Sequence, residues 1–159
     1  MNFMKKENGL YWLMTSTIVF FIDIASKFWI LNKFHLYESI NVLPFFSITY
    51  VQNIGAAFSI FEGQRWMLAA VALLISGAIL YMLYRNKRQQ KLENFSLSLI
   101  LGGALGNLFD RLYHGFVVDF LDVNFGSWHY PTFNIADCAI CIGIGLFILS
   151  SYKKPQKTE

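Results

Sequence analysis

The stretch Met67-Leu68-Ala69-Ala70-Val71-Ala72-Leu73-Leu74-Ile75-Ser76-Gly77-Ala78-Ile79-Leu80-Tyr81-Met82-Leu83-Tyr84 carries no charged residue. As an α-helix it would extend roughly 27 Å, close to the ~30 Å hydrocarbon thickness of a bilayer. A helix in a water-soluble bundle shows a polar stripe with a period of 3.6 residues, and this stretch shows none. It therefore reads as a transmembrane helix. Composition agrees, because only 14% of the 159 residues are charged and 55% are apolar or aromatic. Soluble domains carry about 25% charged residues, so this chain cannot cover a wetted surface of its size. The same figures exclude disorder, and two cysteines cannot staple a disulfide scaffold of this length.

Three further stretches are long and apolar enough to cross. The expected architecture is an all-α integral membrane protein, one domain over 1–159, with four spans at about 10–31, 66–84, 94–113 and 131–152. Of thirteen Lys and Arg residues, Lys5, Lys6, Arg85, Lys87, Arg88, Lys91, Lys153, Lys154 and Lys157 fall on one side of such a chain. Lys27, Lys33, Arg65 and Arg111 are the remainder. The excess marks the cytoplasmic side and puts both termini there. Trp12 lies near the inner end of a span and Trp29, Trp66 and Trp128 near outer ends, as interfacial rings should. The first span has a basic start but a long apolar run interrupted by Asp23 and Lys27, with no small-residue cleavage site. It reads as retained. The cytoplasmic cations are topology signals, and no nucleic-acid partner is implied.

This topology sends about 32–65 and 114–130 outside, with His35, His114 and His129. In the first segment Phe46, Ile48 and Tyr50 alternate with Ser47 and Thr49, which suggests a small extracytoplasmic β element between the first two helices. The residues Gln52-Asn53-Ile54-Gly55-Ala56-Ala57 read as a turn. The second segment, with Gly115, Gly126 and Pro131, reads as irregular with at most one helical turn.

Ionisable residues within a span cost about 2.5–3.5 kcal/mol each at helix centre, so they are paired or functional by default. Asp23 and Lys27, at i and i+4, read as a self-neutralising pair. Gly102, Gly103 and Gly106 form a small face that permits close helix approach. Asn107 would bridge to a neighbouring helix, and Asp110 reads as the structural partner of Arg111. Two acids remain. Asp119 stands among apolar residues in Val117-Val118-Asp119-Phe120, and Asp137 is expected about 9 Å inside the fourth span, one turn below Asn134. Spacing alone leaves three readings open for them: a catalytic dyad, a proton or cation relay, or a buried structural pair. Cys138 and Cys141 read as apolar filler. His114, His129 and Asp122 lack the spacing of a metal motif, so no metal and no cofactor are expected.

The blocks Gly102-Gly103-Ala104-Leu105-Gly106-Asn107-Leu108-Phe109-Asp110-Arg111, Val117-Val118-Asp119-Phe120 and Phe133-Asn134-Ile135-Ala136-Asp137 resemble the signature blocks of the lipoprotein signal peptidase (signal peptidase II) family. Asp23-x-x-x-Lys27 and the turn 52–57 resemble its two N-terminal blocks, so the likeness spans almost the whole chain, in order. It implies an aspartic endopeptidase of the bacterial cytoplasmic membrane that works toward the extracytoplasmic face. Such an enzyme removes the signal peptide of diacylglyceryl-modified prolipoproteins just before the lipidated cysteine, with membrane lipid around it and no obligatory partner subunit. By the same resemblance Asp119 and Asp137 are the catalytic pair. Asn53, Gly103, Asn107, Arg111 and Asn134 would line the substrate site, Asp110 would support Arg111, and the β element would cover about 36–53. The rival from the residues alone is a small proton- or cation-coupled transporter subunit using the same buried acids.

Overall fold

The computed structural model describes residues 8–55, 61–126 and 128–152. Lys5, Lys6, Lys153, Lys154 and Lys157, which bear on topology, lie outside them, as do Ala56 and Ala57 of the 52–57 turn. Each apolar stretch is helical: α1 spans Leu13–Lys33, α2 Arg65–Arg85, α3 Lys91–Tyr113 and α4 Ile135–Tyr152. A short 3-10 turn, Gly9–Trp12, leads into α1. Among the described residues three helical stretches, Gly9–Lys33, Arg65–Arg85 and Ile135–Tyr152, are long and apolar enough to cross a membrane. Their outward surfaces are greasy: Met14, Phe21, Leu73, Leu74, Ile144 and Leu149 are all exposed. In water that perimeter would be a large association-prone patch, and against lipid it is the natural surface.

The remaining helix, α3, differs. With 23 residues α3 is as long as the others, but it carries Glu93, Asn94, Asn107, Asp110 and Arg111. It packs against α1, α2 and α4, burying Glu93, Asn94, Asn107 and Asp110 and leaving Arg111 half-buried. Close approach makes this possible. A Cβ on Gly103 would collide with the Ala136 carbonyl of α4, and one on Gly106 would collide with the Asp23 carboxylate of α1. Small residues at helix crossings are the standard route to tight packing where lipid supplies no hydrophobic drive.

The outer-segment residues build a sheet at one end of the bundle. Its strands are β1 (Ser39–Leu43), β2 (Phe46–Asn53), β3 (Val117–Phe125) and β4 (Trp128–His129), antiparallel in the order β1-β2-β3-β4. The expectation of an irregular 114–130 segment was wrong. Val117–Phe125 forms a nine-residue strand because a two-stranded hairpin is marginal alone, and β2 completes its hydrogen bonding on β3. Gly115, at φ 90°, turns the chain out of α3 into β3. Its N–H bonds the Asp110 carbonyl, closing the helix as a left-handed residue past a C-terminus does. Ile30 and Phe34 at the end of α1 pack on Tyr50, Val118 and Phe120, which seats the sheet on the bundle.

The start of α4 also departs from expectation. The segment before it is extended, because Phe133 pairs with Leu121 of β3. The helix begins only at Ile135. Asn134 Oδ1 accepts the Asp137 N–H at 3.0 Å and Asp137 Oδ2 accepts the Asn134 N–H at 3.2 Å, a reciprocal capping box. Asp137 thus lies in the first turn of α4, not two turns down.

Candidate active site

The pairing of β2 with β3 sets Val51 opposite Asp119 and Asn53 opposite Val117. From that position Asn53 Nδ2 donates to Asp119 Oδ2 at 2.9 Å, while its Oδ1 accepts the Gly55 N–H at 2.9 Å. The other oxygen of Asp119 accepts from Asn134 Nδ2 at 2.7 Å. Asn134 is fully buried, and its backbone N–H and side-chain oxygen are the groups that cap α4 through Asp137. One residue therefore holds both acids, the Asp119 carboxylate through its side-chain amide and the Asp137 carboxylate through its backbone N–H. Asn107 completes the set: its Nδ2 donates to Asp137 Oδ1 at 2.8 Å, and its Oδ1 accepts from Asn134 Nδ2 at 3.2 Å.

Both acids line a groove of about 970 Å³. One wall is the end of β2 (Val51, Gln52, Asn53), another is the Tyr130–Phe133 segment, and the floor runs along Cys138, Ile140 and Ile142 of α4. The lining is mostly apolar with a few convergent polar groups, the usual make-up of a ligand site. Asp119 is 1% exposed. Burial first, and the neighbouring Asp137 carboxylate second, raise its pKa from 3.8 to about 7, against the opposing hydrogen bonds of Asn53 and Asn134. Such a group can hold or release a proton near neutrality, the property an acid–base catalyst needs.

Arg111 also lines the groove. Its Nη2 donates to the Gly55 carbonyl at 2.8 Å and its Nη1 to the Asn107 carbonyl at 3.2 Å, so the guanidinium ties the turn after β2 to α3. It is not the ion-pair partner of Asp110. Adjacent residues on a helix point apart, and Asp110 instead takes Lys27 at 3.1 Å, with His114 Nδ1 at 3.3 Å. The other pair expected from spacing is present, with Lys27 Nζ 2.8 Å from Asp23 Oδ2.

Of the five residues expected along the groove, Asn53, Asn107 and Arg111 line it. Gly103 and Asn134 do not: Gly103 lies under the α4 backbone, and Asn134 is buried behind the two acids. Sequence reading missed Tyr130, Thr132 and Phe133 as a wall. Pro131 was the available signal, since the residue before a proline favours extended backbone. Among the described residues no three His, Cys, Asp or Glu side chains gather to hold a metal. His114 and His129 are in separate places, the latter bonded to Asp122 at 2.9 Å.

Comparison with known proteins gives this geometry a family. The family model for signal peptidase (SPase) II matches residues 15–153. The chain is 52% identical over 155 residues to the lipoprotein signal peptidase of Photorhabdus laumondii, covering 95% of this chain and 93% of that one. It is 49% identical over 158 residues to that of Actinobacillus succinogenes, covering 97% of each. A solved bacterial membrane enzyme superposes with TM-score 0.87 at 30% identity over 99% of this chain and 97% of its own. A second solved bacterial membrane enzyme gives TM-score 0.83 at 31% identity, over 96% and 99%. With nearly its whole length matched, the chain belongs to the signal peptidase II family of peptidases.

Proposed function

We propose that this chain is an aspartic endopeptidase that removes the signal peptide from diacylglyceryl-modified prolipoproteins, cutting just before the lipidated cysteine. The observation that carries the reading is the joint tethering of Asp119 and Asp137 by Asn134 at the wall of one groove. The chain acts as a single domain and without a partner subunit. All four helices are spans, both termini are cytoplasmic, and the sheet lies at the extracytoplasmic face of a bacterial cytoplasmic membrane. In this arrangement α3 is shielded from lipid by the other three helices, which makes its polar residues tolerable in a span.

Two carboxylates tethered to one residue and acting on each other electrostatically cannot both ionise cheaply, so the pair holds one proton near neutral pH. The ionised member draws a proton from a water molecule, whose oxygen forms the new bond to the scissile carbonyl carbon. The protonated member donates to the carbonyl oxygen as the tetrahedral species forms. Collapse breaks the C–N bond: the ionised member takes a hydroxyl proton as the C=O re-forms, and the protonated member gives its proton to the leaving nitrogen, which returns the pair to its one-proton state. The two roles belong to the pair and not to fixed residues, since coupled acids titrate together. Arg111 braces the turn beside Asn53, and the apolar floor of α4 suits a signal peptide arriving from the bilayer. A lipid on the adjacent cysteine would hold the bond at the interface, level with the mouth of the groove.

Transport through the same acids is the weaker reading, because membership of a peptidase family does not favour it. The deciding assay offers the purified protein in lipid a diacylglyceryl-modified prolipoprotein and, separately, its unmodified precursor. Cleavage of the first alone, leaving the lipidated cysteine as the new N-terminus, is the expected result. Equal cleavage of both would remove lipid recognition from the proposal, and cleavage of neither would remove the proposal.

A further inference from the structure

Lys27 is 1% exposed and does not reach the groove, yet its ammonium meets three polar side chains, one on α1 and two on α3. It meets Asp23 Oδ2 at 2.8 Å, Asp110 Oδ2 at 3.1 Å and Asn107 Oδ1 at 2.9 Å. Every one of these acceptors leads on to one of the two acids. Asn107 donates to Asp137 Oδ1 at 2.8 Å. Asp23 Oδ1 accepts the N–H of Ala136, the residue before Asp137, at 2.8 Å. Asp110 Oδ2 accepts the N–H of Val118, the residue before Asp119, at 2.9 Å.

A side chain needed only to neutralise Asp23 would have no use for the other two bonds. An ammonium can donate but never accept, so Asn107 must turn its oxygen to Lys27 and its NH₂ to Asp137. The cation thereby chooses the orientation of the amide that Asp137 sees. We propose that Lys27 is a positioning residue for the aspartate pair: from α1 it sets the backbone ahead of Asp119, the backbone ahead of Asp137, and the Asn107 amide that bonds Asp137. The proposal rests on the reading of Asp119 and Asp137 as the acting pair.

The test compares Lys27→Met and the charge-balanced Lys27→Met/Asp23→Asn with wild type in lipid, normalised to folded protein. The substrate is the lipid-modified prolipoprotein. A misplaced acid should cost about a hundredfold in kcat, with KM within about threefold because Lys27 lies off the groove. The pH profile should move too. Asp119 faces Asp137, Lys27 and Arg111, and loss of one cation favours its protonated form, so the alkaline limb of kcat/KM should shift to higher pH. A folded variant with wild-type kcat and an unmoved limb overturns the proposal. Failure of both variants to fold would assign Lys27 to stability alone and also counts against it. Asp119→Asn and Asp137→Asn run alongside: cleavage that survives them overturns the functional reading itself, whereas its loss beside a fully active Lys27 variant overturns the positioning role only.

Discussion

Asp119→Asn is expected to yield a folded, lipid-embedded protein that cleaves about a thousandfold more slowly than wild type, the scale of a lost acid–base group. The side chains are nearly equal in volume, so the packing around position 119 survives. What changes is the proton. An amide cannot titrate, so the pair loses the group that is held near neutrality by burial and by Asp137. One of the two amide partners, Asn53 or Asn134, also loses its acceptor, because an Asn at 119 offers one oxygen where the carboxylate offers two. Asp137→Asn should cost a similar factor, and the double variant little more, since groups that act as a unit are not additive. Thermal unfolding measured beside turnover checks this. A single variant within about tenfold of wild type would take that residue out of the chemistry.

Gly103→Ala should be nearly as damaging for a different reason. Its new methyl group would meet the Ala136 carbonyl, which is α4 backbone and cannot rotate away. The helices must part, at a cost of roughly 1–3 kcal/mol for overpacking, and the parting occurs beside Asp137. Both the unfolding temperature and kcat should fall. Gly77→Ala and Gly145→Ala are the controls, because a Cβ at either position meets nothing within 4 Å. Their stability should be unchanged or slightly raised by the better helix propensity of alanine. If Gly103→Ala behaves like these two, the close α3–α4 contact does not set the site.

The features legible in the sequence were those with a local cause. A charge-free run such as Met67–Tyr84 announces a helix by composition and length, and the alternation of Phe46, Ile48 and Tyr50 announces β2. The isolation of Asp119 and Asp137 from any adjacent cation also shows in the linear order. Less local features were not legible. The strand β3 exists because β2 offers it a partner, and Val117–Phe125 does not declare that by itself. The late start of α4 follows from Phe133 pairing with Leu121 and from the box between Asn134 and Asp137. The partner of Asp110 was misassigned to its neighbour Arg111, although i and i+1 face apart on a helix. Its actual cation, Lys27, comes from a different helix. The Lys27–Asn107 bond joins residues 80 apart in sequence, beyond any periodicity argument.

The central claim is that Asp119 and Asp137 hold one proton between them near neutral pH. Infrared difference spectra of wild type minus Asp119→Asn, recorded across a pH titration, address it directly. Burial raises the Asp119 pKa from 3.8 to about 7, so the protonated carboxyl should persist through the ordinary carboxylate range and vanish only as pH rises through about 7. The pair then carries two negative charges, and cleavage should fall over the same interval. A protonated-carboxyl band present at pH 6, with its midpoint close to 7 and matching the loss of activity, is the predicted result. Absence of that band at pH 6, with activity undiminished into the alkaline range, would contradict the account.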